Sequence, residues 1–378
     1  GEAARPGQIF VTPPGGMKGR SFHWAWLILL AGFLDLFINY SVRLGYGVVL
    51  PEMIRDLGLS RTSGGTIYNA YLFTYILLTP LAGWLTDRVG ARRVIPACLA
   101  VLGMGVLLLA RAGSLGEASF AFAVVGIGAT GIWTPVLAVV QRWFAPQRRG
   151  LALGILSTGY GLGFAAVGAL FPWVVLHFDW RHAWSFLGAG ALFLVAVNAL
   201  LLRNDPESAG TVPWGGEGGD AGPAGGTVEE PKTGLREAIL RNPVFWRIGF
   251  SYFCISYALY GFTTFMVDDA RGQAGLSLEA ASFLATIHGS FQILGVLTLL
   301  PLSDRLGRRR TILFSNGCVA LVLLGIVAAG AGQAALGVLV ALFAIFYGVT
   351  FPIYGACAGD HFPRPLLGTV IGAWTPLY

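Results

Sequence analysis

The chain has 378 residues, of which 55% are hydrophobic and 12% charged, against about 45–50% and about 25% in an ordinary soluble protein. The apolar residues fall in runs of about 20, the length that crosses a bilayer, which excludes a set of water-soluble domains. The net charge of +6 comes from 25 Lys and Arg scattered in short clusters between those runs, not from a basic, aromatic-bearing domain of the kind that binds nucleic acid.

Reading from the N-terminus, residues 1–20 form a polar tail rich in Gly and Pro, and the apolar run after it is too long for a signal-peptide core. Charges bound helices at 24–50, 65–86, 93–111, 119–142, 150–176 and 182–202, which make up a first half spanning 21–203. Residues 204–241, dominated by Gly, Pro and Glu, lack apolar periodicity and read as a flexible linker. A second half, 242–378, carries helices at 244–267, 279–303, 310–330 and 334–358 and the start of another at 366. The sequence therefore predicts an all-α polytopic membrane protein.

Alternate loops divide the basic residues unevenly. One side collects Arg5, Lys18, Arg20, the clusters Arg88/Arg92/Arg93 and Arg142/Arg148/Arg149, the linker cations, Arg305/Arg308/Arg309/Arg310 and Arg364. The other holds only Arg55, Arg61, Arg111, Arg181 and Arg271. The positive-inside rule then places the N-terminus and linker in the cytoplasm and the chain in the inner membrane. Cys98, Cys254, Cys318 and Cys357 lie in apolar segments at wide spacing, with no disulfide or zinc pattern. Gly126-Ile-Gly-Ala-Thr-Gly131 fits a dinucleotide loop, but no strand precedes it, so close helix packing is the better account, as for Gly159 and Gly163. No Walker loop and no hydrolytic constellation is present, so the sequence implies neither cofactor nor enzyme.

An internal repeat joins the halves. Gly83-Trp-Leu-Thr-Asp87-Arg88-Val-Gly90-Ala-Arg-Arg93 recurs 217 residues later as Leu300-Pro-Leu-Ser-Asp304-Arg305-Leu-Gly307-Arg308-Arg-Arg310, each between the second and third helices of its half. Parallel repeats of this kind are a transporter architecture. The motif resembles the loop signature of the major facilitator superfamily, and its second copy strengthens the match. That resemblance implies a fold of two six-helix halves, twelve helices in all, with the last one and a half beyond Tyr378 and about 40–60 further residues to hold them. It also implies that the residues Gly83, Asp87, Arg88, Gly90, Arg93, Asp304, Arg305, Gly307 and Arg308 form gating loops.

Within that superfamily the chain is similar to the monocarboxylate porter and oxalate/formate antiporter group. The run Trp143-Phe-Ala-Pro-Gln-Arg-Arg-Gly-Leu-Ala-Leu-Gly-Ile-Leu-Ser-Thr-Gly159 follows that group's fifth-helix pattern, and Trp24-Ala-Trp26 matches the end of its first-helix signature. The group's substrate-anchoring Arg on the eighth helix is absent, since Val296 or Leu297 stands at its place.

Polar residues inside apolar runs mark the candidate site, because an ionisable group at the bilayer centre costs about 2.5–3.5 kcal/mol on insertion scales. Asp35, Asn39 and Arg43 share one face of the first helix, each step of four drifting by about 40°. Arg43 is read as attracting a substrate anion and Asp35 as a proton carrier; the alternatives are a snorkelling Arg43 and a structurally paired Asp35. On the eighth helix His288 and Gln292 share a face one turn before the vacant Arg position, and His288 is read as ligand and second proton carrier, or as interhelical glue. Tyr257, Tyr260 and Thr264 form a stripe on the seventh helix, and Tyr347, Thr350 and Tyr354 one on the tenth. Hydroxyls on apolar rings suit a small organic anion, although packing is the commoner use, and the stripe Tyr68, Tyr71, Tyr75 is open to the same two readings. Trp133, with Thr134 and Pro135, is expected to kink the fourth helix toward the cavity.

The expectation is a monomeric secondary transporter of a small organic anion, coupled to protons, working in the lipid bilayer with no nucleic-acid partner. A drug/proton antiporter of the same superfamily and a nontransporting receptor are the alternatives.

Overall fold

A computed structural model describes residues 23–145, 148–216, 241–328, 333–361 and 373–374. The predicted first span is helix α1, Trp24–Asp56, about 50 Å long at 1.5 Å per residue. It runs past Pro51 because Tyr46–Met53 is packed on every side and Glu52 is held by two arginines. Helix α2 covers Arg61–Val89 and α3 Ala91–Leu109. The fourth span is broken into α4, Leu115–Ala129, and α5, Trp133–Trp143. Pro135 has no N–H to offer the carbonyl four residues back, and Thr130 turns its hydroxyl onto the carbonyl of Ile127 at 2.7 Å. The expected kink at Trp133 is therefore a full interruption. The half closes with α6, Arg149–His177, and α7, Trp180–Leu201.

The second half contains α8, Pro243–Gly272; α9, Leu278–Leu306; α10, Arg308–Ala328; and α11, Gln333–His361. Helix starts carry side-chain caps where the sequence supplies them. Ser60, Ser114 and Ser277 each accept from the amide three residues on, and Asn242 caps α8 with Pro243 in its first turn. Nine segments among the described residues are long and apolar enough to cross a membrane, α4 and α5 counting together. Helix α2 has the length but not the apolarity, since Tyr68, Asn69, Tyr71, Thr74, Tyr75 and Thr79 interrupt it. The predicted helix from 366 lies outside the described residues except for 373–374, where the Trp374 indole donates to the Phe245 carbonyl at 3.2 Å and stacks on its ring.

The repeated loop motif folds the same way twice. Gly90 (φ 88°) joins α2 to α3 and Gly307 (φ 89°) joins α9 to α10, each donating its N–H at 3.0 Å to the carbonyl four residues earlier. A side chain is strained at such φ values, which is why glycine stands at both places. Arg308 donates to the Ser303 hydroxyl, Arg93 borders an open cleft with Arg92 and Asn204, and nothing crowds Gly83. The side chains of Asp87, Asp304 and Arg305 lie outside the described residues.

The linker departs from expectation in its first part. Residues 204–216 are a folded strap over the first half, not a flexible segment. Asn204 caps α3 by accepting from the Arg92 amide at 2.9 Å. Trp214 exchanges backbone bonds with Trp143 and Ala145 and packs against Trp26 and Phe144. A half-buried indole anchors the strap despite the glycines after it. Residues 217–240 lie outside the described residues.

Within the first half α1 packs on α6 and α7, α3 on α4 and α7, and α2 on α4; within the second, α9 and α10 pack on α11. The halves meet along α6 against α9 and α1 against α8. Small residues set both seams: a Cβ on Gly289 would overlap the Gly161 carbonyl oxygen, and one on Gly47 the Thr264 carbonyl oxygen. Gly126, Gly128 and Gly131, the residues of the false dinucleotide loop, pack against α2 and α3 in the same manner, and Gly159 and Gly163 against Phe33 and Phe37 of α1.

At the end of the bundle where α1 stops, ion pairs cross between the halves. Glu52 of α1 accepts from Arg271 of α8 at 2.6 Å, and Arg61 of α2 reaches Asp268 at 2.8 Å and Asp269 at 3.7 Å. Glu52 and Asp268 are buried while the side chains of Arg271 and Arg61 are 27% and 51% exposed, so removing an arginine leaves a buried carboxylate short of counter-charge. Arg271→Glu is expected to open this end, read as faster modification of a cysteine placed at Gly65, where a Cβ meets only the edge of the Phe265 ring of α8 at 3.8 Å. Restoring the pair with Glu52→Arg in the same chain is expected to return the slow rate; equal rates in all three proteins would show that the pairs close nothing.

Candidate substrate site between the halves

Arg43 stands mid-helix in α1 with 3% of its surface exposed. Its guanidinium carbon lies 4.3 Å from the ring centre of Tyr260 on α8, and 5.2 and 5.8 Å from those of Tyr75 and Tyr71 on α2. The cage thus draws on both halves. Among the described residues no carboxylate pairs with Arg43, and its Nε donates to nothing. Cation–π contacts supply up to about 2 kcal/mol each when desolvated, whereas a buried ion loses several kcal/mol of hydration. A guanidinium with aromatic faces and no acidic partner among the described residues is chemically able to receive an anion, and its planar fork matches a carboxylate.

A second polar cluster lies across Tyr260. The Tyr260 and Tyr347 rings meet edge to face at 6.5 Å, and Tyr347 in turn contacts His288 at 4.7 Å. Phe164 of α6 and Phe343 of α11 complete the walls around that imidazole at 5.1 and 5.7 Å. His288 and Gln292 are fully buried, yet both ring nitrogens of one and both amide atoms of the other lack a hydrogen-bond partner among the described residues. Helices α9 and α11 touch backbone to backbone where Gly348 faces Gln292, which fixes these two side chains relative to Tyr347.

The other expected residues are placed as follows. Asn39 is buried and its Oδ1 accepts no bond among the described residues. Asp35 lies about 12 Å along α1 from Arg43 and turns to α7, where Asn198 Nδ2 donates to its Oδ1 at 2.6 Å; its Oδ2 accepts nothing among the described residues. Trp133 meets Tyr40 and Tyr160 edge-on at 6.0 and 6.5 Å, and Tyr160 donates to the Gly348 carbonyl at 3.1 Å, linking the halves. Tyr354 is buried away from Arg43, its hydroxyl bonded to Ser251 and Asn316 at 2.6 and 3.1 Å. Those bonds tie α11 to α8 and α10. Tyr257 is corrected outright: it is 76% exposed on the outer stripe of α8 with Phe250 and Phe253. Its alignment with Thr264 misleads because the contacts of α8 with α1 lie further along the helix, Tyr260 at Arg43, Thr264 at Gly47 and Arg271 at Glu52.

Tyr71 and Tyr75, the nearest α2 contacts of Arg43, belong to the stripe Tyr68, Tyr71, Tyr75, for which packing is the commoner reading of the sequence. The vacant anchor position is apolar in fact, with Val296 buried and Leu297 exposed.

The Major Facilitator Superfamily family model matches residues 24–378. The chain belongs to that superfamily. Its similarity to curated members is moderate: 25% identity over 75% of this chain and 66% of the probable sulfoacetate transporter SauU of Cupriavidus necator, and 29% over 50% of this chain and 45% of monocarboxylate transporter 13 of Rattus norvegicus. The chain spans two thirds or less of the length of those two relatives. Among solved superfamily structures, a bacterial homologue of the human lysosomal transporter Spinster, in an inward-facing and unoccupied conformation, aligns with a TM-score of 0.72 at 18% identity, over 94% of this chain and 80% of that one. The two-half major facilitator fold expected from the loop repeat is thus the fold of this multi-pass membrane protein.

Proposed function

We propose that the chain carries a small organic anion across the cytoplasmic membrane by alternating access, its N-terminus inside, and that the anion's carboxylate docks on Arg43. The observation that carries this reading is the buried guanidinium, caged by tyrosines of both halves and lacking any carboxylate partner among the described residues. An entering carboxylate supplies the missing counter-charge in a water-poor site, where such hydrogen bonds are strongest. Because Tyr71 and Tyr75 belong to one half and Tyr260 to the other, bound anion holds the two together around one point, the condition for rocking about a fixed site. The relatives named for sulfoacetate and monocarboxylate agree with an anionic cargo. A drug/proton antiporter for cations fits this site poorly, since a fixed cation occupies its centre. The basic loops around Gly90 and Gly307 latch the cytoplasmic side.

Coupling is to a proton, with Asp35 as carrier and His288 as the second candidate. In liposomes, wild-type protein accumulates labelled lactate, pyruvate, formate, oxalate or acetate when an inward proton gradient is imposed. Asp35→Asn is expected to keep anion exchange at equal pH while losing gradient-driven accumulation. Accumulation in Asp35→Asn that still follows the gradient would remove Asp35 from the proton path.

A further inference from the structure

We propose that the site has two poles and selects an anion whose carboxylate is separated by several carbons from a neutral hydrogen-bonding group, a hydroxyl or carbonyl, which binds His288 and Gln292. This rests on the anion reading above and narrows it to a substrate class.

His288 and Gln292 stand one turn apart on α9, and their four side-chain nitrogen and oxygen atoms have no partner among the described residues although both residues are fully buried. Each unmet group in an apolar interior costs about 1–3 kcal/mol. Four such atoms side by side, able between them to donate and to accept, are a receptor for a group that does both. A hydroxyl does so, and a carbonyl takes the donors. The neighbours of His288 are the rings of Phe164, Phe343 and Tyr347, and among the described residues no Lys, Arg, Asp or Glu pairs with it or with Gln292. The pole is therefore uncharged at its rim and offers no fixed cation to a second carboxylate.

The two poles are set apart by aromatic surface. Arg43 lies over Tyr260, Tyr260 meets Tyr347, and it is Tyr347 that carries the contact on to His288. A ligand of one or two carbons engages Arg43 and leaves the second pole unmet, while a longer acid with a distal hydroxyl reaches both across the tyrosine faces.

The test uses the full chain in liposomes and matched pairs of labelled acids: butyrate against 3-hydroxybutyrate and 4-hydroxybutyrate, and hexanoate against 6-hydroxyhexanoate, with succinate as the doubly charged control. Wild-type kcat/KM is expected to favour the best hydroxy acid over its parent by about tenfold or more, because a site built to bond a hydroxyl discriminates strongly against its absence. In Gln292→Leu and in His288→Phe the ratio, measured within each variant so that expression cancels, is expected to fall toward one. Thermal stabilisation of the purified protein by the same acids gives a second readout if a variant reconstitutes poorly. Equal handling of butyrate and its hydroxy acids by wild type, a preference that survives both variants, or a preference for succinate would overturn the two-pole assignment while leaving the anion reading intact. Failure of every acid to bind or move would remove both.

Discussion

Arg43→Gln lowers affinity for carboxylate substrates by at least about 30-fold, read as the shift in half-saturating anion concentration in exchange assays. Truncating one member of a buried hydrogen-bonded charge pair costs about 2–5 kcal/mol, and the carboxylate completes such a pair with a guanidinium that has no acidic partner among the described residues. Arg43→Lys rescues little, because an ammonium cannot offer the planar fork or spread over the faces of Tyr260, Tyr75 and Tyr71. The variant also separates binding from folding. Without anion, Arg43→Gln is expected to melt no lower than wild type, since it deletes an uncompensated buried charge, but to lose the stabilisation that added carboxylate gives wild type. A large fall in melting temperature without ligand would mean that the guanidinium serves the fold rather than the cargo.

Gly289→Leu is expected to abolish transport while the protein still inserts. Its Cβ would overlap the Gly161 carbonyl oxygen, and Gly168 on α6 meets Thr286 and Ser282 on α9 in the same way. The two backbones therefore touch along the seam between the halves, and any side chain at 289 forces α6 from α9. Overpacking of this kind costs about 1–3 kcal/mol even where neighbours yield, and here the opposing atoms are backbone. The displacement also carries Phe164 away from His288. Gly261→Ala is the matched control, because a Cβ there meets nothing and alanine favours the helix by about 1 kcal/mol. Transport by Gly289→Leu within twofold of wild type would show that the seam is not required in contact.

Much of the architecture was legible because membrane spans announce themselves by length and apolarity. The described helices follow the apolar runs, with α1 running six residues further and the fourth run split in two, and the repeated Gly90 and Gly307 turns were readable as positions demanding glycine. Arg43 was legible for a related reason: a charge in an apolar run has a cost that needs an explanation. Partners were not legible. The Asp35–Asn198 bond joins residues 163 apart, and nothing in either local pattern specifies the other. Tyr257 and Tyr260 show how periodicity alone fails, since a stripe on a helix says which residues share a face but not where the neighbouring helix crosses. The strap failed in the opposite sense, because glycine-rich composition hid the single Trp214 that folds it onto Trp26 and Phe144.

On the proposed function, the site between the halves receives an anion. Counterflow through wild-type protein in liposomes tests it most directly, with labelled carboxylates, their neutral amides and a lipophilic cation compared at the same concentration and pH. The site described here predicts exchange of carboxylates alone, whereas exchange of the amide at the same rate, or of the cation in place of the anion, would contradict it.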